Sequence, residues 1–209
     1  MFGFLGIFEI DRDILLYVQD HWRTGILDGF FKAVTHLGDA GIFWILLTLV
    51  LLCFKKTRKA GFFSAGALAG SVLLNNVILK NAIGRVRPYE LIPELKLIIA
   101  RAKDASFPSG HTAASFASCI AIVPNVKKRY GIPLIIMACL IAFSRVYVGI
   151  HYPSDILGGF LSGLFLGIMA NVIGNRVIKW WENRNALKAE TVSEAGSTET
   201  EQSVSEAGK

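Results

Sequence analysis

Five long stretches without a single Asp, Glu, Lys or Arg constrain this chain more than any other feature: Ala40–Phe54, Ala60–Leu79, Ala105–Val126, Tyr130–Ser144 carried past Arg145 to Ser154, and Ile156–Asn175. A helix needs about 20 apolar residues to cross roughly 30 Å of hydrocarbon. The second, third and fifth stretches are that long. The first reaches it if it begins near Thr35, and the fourth carries Arg145 near one end. Composition agrees, since 53% of the 209 residues are apolar and 18% charged, against about 25% charged in soluble domains. A wholly disordered chain, a coiled coil and a small disulfide scaffold are excluded. The expectation is an all-α, polytopic membrane helical bundle with five spanning helices over residues 37–182.

The ends read differently. Over residues 1–36, Asp11, Arg12, Asp13, Asp20, Arg23, Asp28 and Lys32 interrupt every apolar stretch. Ile14, Leu15, Val18, Trp22, Ile26, Phe30 and Val34 nevertheless recur at helical spacing. This predicts an amphipathic helix lying in the interface, with a distorted sixth span as the alternative. Met1–Ile10 lacks the basic start of a cleaved signal peptide. Cys53, Cys119 and Cys139 stand singly in apolar runs and read as free thiols. Residues 183–209 hold almost no bulky apolar residue, and Val-Ser-Glu-Ala-Gly occurs at both Val192–Gly196 and Val204–Gly208. Such a segment buries too little surface to offset its ordering entropy, so a disordered tail is expected.

Charge sets the expected orientation. Lys55-Lys56-Thr57-Arg58-Lys59, Lys127-Lys128-Arg129 and the group Arg176, Lys179 and Arg184 fall on one side of a five-span bundle. The positive-inside rule makes that side cytoplasmic, with the tail, in a plasma (bacterial inner) membrane. The connections 80–104 and around His151 then face outward together. The net charge of +6 is therefore largely topological. No aromatic and basic platform or Gly-rich phosphate loop points to nucleic acid.

The outward-facing polar residues carry the chemistry, because membrane helices rarely keep ionisable groups without a function. Lys80, Arg85 and Arg87 follow the second stretch, Ser109-Gly110-His111 opens a helix in the third, Arg145 lies late in the fourth, and His151 and Asp155 bracket the turn into the fifth. Two planar guanidinium forks and a compact ammonium suit phosphate oxygens. The N–H groups of Ser109 and Gly110 at a helix start suit an anion too. His151 and Asp155 are four apart, with Pro153 in the first helical turn, so Asp155 is placed to reach back to the ring. A carboxylate accepting from Nδ1–H leaves Nε2 free to attack, and His111 is available as general acid. No carboxylate cluster for Mg²⁺ and no His-x-x-x-His pair for Zn²⁺ is present, so neither metal nor cofactor is expected. Arg85, Tyr89, Arg101, Lys103 and Asp104 read equally well as headgroup contacts or solvated loop residues. Gly66-x3-Gly70, Gly159-x3-Gly163 and Gly163-x3-Gly167 predict close helix approaches within a monomer or, alternatively, in a homodimer.

Lys80-x6-Arg87-Pro88, Pro108-Ser109-Gly110-His111 and Ser144-Arg145-x5-His151-x3-Asp155 together resemble, at every fixed position, the three-part signature of the type 2 phosphatidic acid phosphatase superfamily. The resemblance implies a metal-independent membrane lipid phosphatase. In it His151 forms a phosphohistidine, Asp155 orients His151, and His111 protonates the leaving group. Lys80, Arg87, Ser109, Gly110 and Arg145 hold the phosphoryl oxygens. The flanking spans are similar to those of compact bacterial undecaprenyl pyrophosphate and phosphatidylglycerophosphate phosphatases. The implied substrate is thus a lipid phosphate or pyrophosphate at the outer leaflet, with undecaprenyl pyrophosphate favoured and phosphatidylglycerophosphate or phosphatidate as the alternative. Vanadate-dependent peroxidation and lipid transport are the readings from other classes.

Overall fold

The computed structural model describes residues 2–207, with side chains over 6–186. Every regular element is helical, and the chain divides into two compact units, Met1–Asn171 and Val172–Lys209. Helix α1 (Phe2–Trp22) leads to α2 (Gly25–Leu37), whose start is capped by Thr24 Oγ1 accepting the Leu27 N–H at 3.3 Å. A tight turn with Ala40 and Gly41 in the left-handed region connects to α3 (Ile42–Cys53). Helix α4 (Arg58–Ser71) continues through a π-helical segment, Val72–Leu79, into α5 (Lys80–Ile83), which stops at Gly84 with φ +59°. Pro88 begins the single turn α6 (Pro88–Leu91). A long irregular connection precedes α7 (Gly110–Ile122), followed by α8 (Lys128–Tyr147) and α9 (Pro153–Ala207).

Three helical stretches are long and apolar enough to cross a membrane: Arg58–Leu91, Lys128–Tyr147 and Pro153–Ala186. A fourth is gained if Gly25–Leu37 and Asp39–Cys53, bent by 49°, count as one span. Among the described residues the candidate spans are thus three or four, where the sequence predicts five to six. The Ala105–Val126 stretch is not one of them. Its helix α7 has 13 residues, about 20 Å at 1.5 Å per residue, because residues 105–109 are spent on an irregular approach to the site. Apolarity there reflects burial in protein rather than contact with lipid: Ala113, Ala117, Cys119, Ala121 and Ile122 are all fully buried.

Helix α7 sits at the centre of the first unit, packed chiefly against α4 and α8. One apolar cluster joins Trp44, Ala60, Cys119, Ile122, Ala138 and Ile141, and another joins Leu15, Val18 and Phe31 to Ile92, Tyr147, Ile150 and Tyr152. Small hydroxyl residues link the helices inside the core: Ser64 Oγ lies 2.6 Å from both Thr48 Oγ1 and Ser118 Oγ, and Trp44 Nε1 donates to Ser115 Oγ at 2.9 Å. The expected amphipathic face of residues 1–36 is divided. Leu15, Val18 and Val34 are buried in the protein, while Ile14, Trp22, Ile26 and Phe30 are exposed. In the second unit Trp180 and Trp181 are exposed. Most of the tail expected over 183–209 lies outside the residues with described side chains.

Candidate active site

One cavity of about 420 Å³ is lined by Lys80, Arg87, Gly110, His111, Arg145 and His151. They come from four stretches of chain that lie apart in sequence, around Lys80, Arg87, Gly110-His111 and Arg145 to His151. Lys80 opens α5 directly after the π-helical segment, a device that rotates later side chains relative to a regular helix. Arg87 is held extended by the following proline. Arg145 occupies the last turn of α8, and Gly149 at φ +81° turns the chain so that His151 follows directly. The two remaining sequence candidates stand behind the wall. Asp155 is in the first turn of α9, and Ser109 caps α7 by accepting the Thr112 N–H at 3.4 Å. The Ser109 N–H does not face the cavity as expected, since it donates to the Asp155 carbonyl at 3.1 Å.

His151 is 1% exposed, and its neighbours define its tautomer. Arg87 Nη1 lies 3.3 Å from Nε2, and a guanidinium has only donors, so Nε2 presents its lone pair. Nδ1 then carries the proton and donates to Asp155 Oδ2 at 3.3 Å. Asp155 is fixed in turn by Ser106 Oγ and by the Tyr152 N–H at 3.0 Å, both donating to the same oxygen. Burial pushes the His151 imidazole well below its ordinary proton affinity; the bond to Asp155 opposes this and the charges of Arg87 and Arg145 reinforce it. The ring is neutral at pH 7, the state a nucleophile requires.

The cationic wall is built around Asp104. Its carboxylate bridges Lys80 Nζ and Arg87 Nη2, the latter at 2.7 Å, while Arg87 Nε donates to the Asp104 carbonyl at 2.8 Å. Partial burial raises the Asp104 carboxyl, but the Lys80 bond and charge with Arg87 outweigh it and hold it at about 2. Arg145 Nη1 donates to Thr35 Oγ1, and its buried Nε has no hydrogen-bond partner among the described residues. Across the cavity His111 Nε2 donates to Asp39 Oδ1 at 2.9 Å, and Asp39 Oδ2 meets His36 Nδ1 at 2.7 Å. A Cβ on Gly110 would come within 2.8 Å of Asn76 Oδ1, so the backbone closes directly on the wall.

Several of these residues escaped sequence reasoning. Asp39, Asp104 and Ser106 belong to connections whose path only the folded chain defines. Arg85, read equally as a headgroup contact or a solvated loop residue, instead donates to Asp155 Oδ1 at 2.7 Å. Among the described residues no three His, Cys, Asp or Glu side chains converge as ligands for a metal ion.

The sequence model of the PAP2 superfamily matches residues 60–179, more than half of the chain. This chain belongs to the PAP2 superfamily. As a PAP2 phosphatase it is 32% identical over 148 residues to the undecaprenyl-diphosphatase of Sulfolobus acidocaldarius, covering 71% of each chain. It is 32% identical over 162 residues to phosphatidylglycerophosphatase B of Bacillus subtilis, covering 71% of this chain and 74% of that one. The crystal structure of the transmembrane PAP2-type phosphatidylglycerolphosphate phosphatase from Bacillus subtilis superposes with a TM-score of 0.69 at 27% identity, over 82% of this chain and 88% of that one.

Proposed function

We propose that this PAP2 membrane lipid phosphatase removes the terminal phosphate of a polyprenyl diphosphate such as undecaprenyl diphosphate, at the outer face of the membrane and through a phosphohistidine on His151. The observation that carries the reading is the His151 ring, with its Nε2 lone pair beside Arg87 and its Nδ1–H on Asp155. The Nε2 lone pair attacks the terminal phosphorus and the bond to the bridging oxygen breaks. That oxygen leaves with a proton from His111; burial and the charges of Arg145 and Lys80 push this imidazole down to about 4 against the opposing pull of Asp39, and a bound diphosphate adds the negative charge that favours the imidazolium. His111 then takes a proton from the water that cleaves the phosphohistidine, releasing inorganic phosphate and restoring His151. Lys80, Arg87, the free Nε of Arg145 and the Gly110 N–H are the donors for oxygens that gain charge in transfer, with Ser109 fixing the start of α7 behind them. No step calls on a metal ion or cofactor.

The lipid chain has a route. The cavity is continued by Ile45 of α3, Leu68 and Ala69 of α4, Val72 of the π-helical segment and Ala114 of α7. No such route runs between α7 and α9, which pack closely: a Cβ on Gly159, Gly163 or Gly167 would lie 2.6, 2.6 or 2.8 Å from the backbone carbonyls of Ser109, Ala113 or Ala117. The chain therefore leaves between α3 and the α4 continuation. Val72→Trp should raise the KM for a long-chain lipid without changing inhibition by inorganic phosphate, and equal effects on both would place the route elsewhere.

The likeness to a phosphatidylglycerolphosphate phosphatase structure supports a second substrate reading. Phosphate release in excess EDTA from undecaprenyl diphosphate and from phosphatidylglycerophosphate separates the two. The expected result is chelator-resistant turnover, faster on the diphosphate and lost in His151→Ala. A faster rate on phosphatidylglycerophosphate transfers the assignment to that lipid, and retained turnover in His151→Ala overturns the phosphohistidine.

A further inference from the structure

A second charged cluster touches Asp155 without lining the cavity. Arg85 Nη1 donates to Asp155 Oδ1 at 2.7 Å and to Ser154 Oγ at 2.6 Å, while Nη2 donates to Asp11 Oδ2 at 2.8 Å. Asp11 lies on α1, is 2% exposed, and also accepts the Ser154 N–H at 2.9 Å and the Ser154 hydroxyl. The guanidinium rests 3.9 Å from the centre of the Tyr152 ring, which immobilises it further. A buried carboxylate carried this far into a helix packed on apolar neighbours is costly unless its charge is matched.

The two oxygens of Asp155 have divided tasks. Oδ2 receives His151, Ser106 and the Tyr152 N–H, whereas among the described residues Oδ1 receives Arg85 alone. A lone cation on Oδ1 would hold the carboxylate in place but would also withdraw its negative potential from the imidazole. A second anion on the far side of that cation restores the potential without loosening the grip. Asp11 stands in that position.

We propose that Asp11 and Arg85 are positioning residues for phosphoryl transfer. Arg85 holds the Asp155 carboxylate in register with His151, and Asp11 cancels the Arg85 charge so that Asp155 keeps its field on the nucleophile. Helix α1, outside the segment matched by the family, thereby becomes part of the reacting unit. The inference rests on the reading of His151 as nucleophile. The other groups facing His151 are Arg87 before α6, Arg145 on α8 and Ser106 in the long connection, with Lys80, Asp104 and His111 around the same cavity.

The test is steady-state kinetics of the full chain bearing Asp11→Asn or Arg85→Gln, on whichever of the two lipids the wild type hydrolyses. In each variant kcat should fall about tenfold with KM little changed. The acid-side inflection of kcat/KM should move in opposite directions. Removing the anion disfavours the imidazolium and moves the inflection to lower pH in Asp11→Asn; removing the cation favours it and moves the inflection to higher pH in Arg85→Gln. A purely structural pair would lower the amount of folded protein and move neither inflection, and inflections that stay put or move the same way overturn the proposal. If Asp11→Asn does not fold, the direction in Arg85→Gln decides alone. His151→Ala measured alongside keeps the two readings separate, because turnover surviving there counts against the nucleophile and not against this pair.

Discussion

Lys80 and Arg87 would repel one another if nothing stood between them, and Asp104 is the group that holds them together. Two cations bridged by one carboxylate keep the geometry of a phosphate site without bound phosphate, at the price of an internal competitor. Asp104→Asn should therefore tighten inhibition by inorganic phosphate several-fold, since like charge near an anion site weakens binding by an amount of this order at an effective dielectric of about 20. Unchanged or weaker inhibition would mean that the carboxylate only positions the two cations. Acid stability follows from the same residues. Asp104 is held at about 2, below its unfolded value of about 3.9, so its contribution is present above the unfolded value and disappears as pH falls toward 2. His151 is depressed by burial, and the unfolded chain takes up a proton at this residue below about pH 6.5 while the folded chain does not. Melting temperature in detergent should thus begin to fall below about pH 6.5, and His151→Gln should flatten that part of the curve.

At the scale of elements, glycine decides which helices touch. Gly159, Gly163 and Gly167 form a stripe on α9 laid on the α7 backbone, where the nearest atoms are carbonyls at Gly159 and Gly163 and the Ile120 Cβ at Gly167, none of which can move aside. Gly163→Ala should destabilise the protein by about 1–3 kcal/mol, the usual penalty for overpacking, read as a lower melting temperature. A small or absent shift would show that α9 can slide on α7. The other expected stripe behaves differently. A Cβ on Gly66 would meet nothing within 4 Å, and one on Gly70 would meet only the end of Leu166 at 3.2 Å, so this pair does not bring two backbones together. The irregular segments matter as much as the long helices. The π-helical stretch, the left-handed turn at Ala40 and Gly41 and the Gly149 turn each deliver one wall of the cavity.

For the molecule as a whole, α1 and α2 are structural partners of the bundle. Arg23 donates through Nε and Nη2 to the Tyr147 carbonyl at 3.1 and 2.8 Å, satisfying the end of α8, and Phe31 stacks on Tyr147 with ring centres 4.3 Å apart. Thr35 binds Arg145, and Asp39 binds His111. Deleting the α1 residues should consequently abolish turnover in detergent and lower the melting temperature. Full activity after the deletion would return α1 to the role of an interfacial attachment.

Membership of a helical membrane class was legible in the sequence because several apolar runs of spanning length in one short chain cannot all be covered by protein. The residues around the cavity were legible as candidates: His151 and Asp155 because a spacing of four at a helix start puts them side by side, and Lys80, Arg87, His111 and Arg145 because ionisable groups at the ends of apolar runs are rarely idle. The number of spans was not legible. Apolarity alone does not distinguish a helix buried in protein, such as α7, from one bathed in lipid, and it does not reveal that residues 105–109 are irregular. Nor were the supporting carboxylates legible. Asp11, Asp39 and Asp104 lie far along the chain from the cations and histidines they serve, and an isolated Asp in a polar stretch looks like any solvated one. Tertiary packing decided which of these distant charges meet, because a buried cation requires an anion within reach, and only the folded chain brings one there.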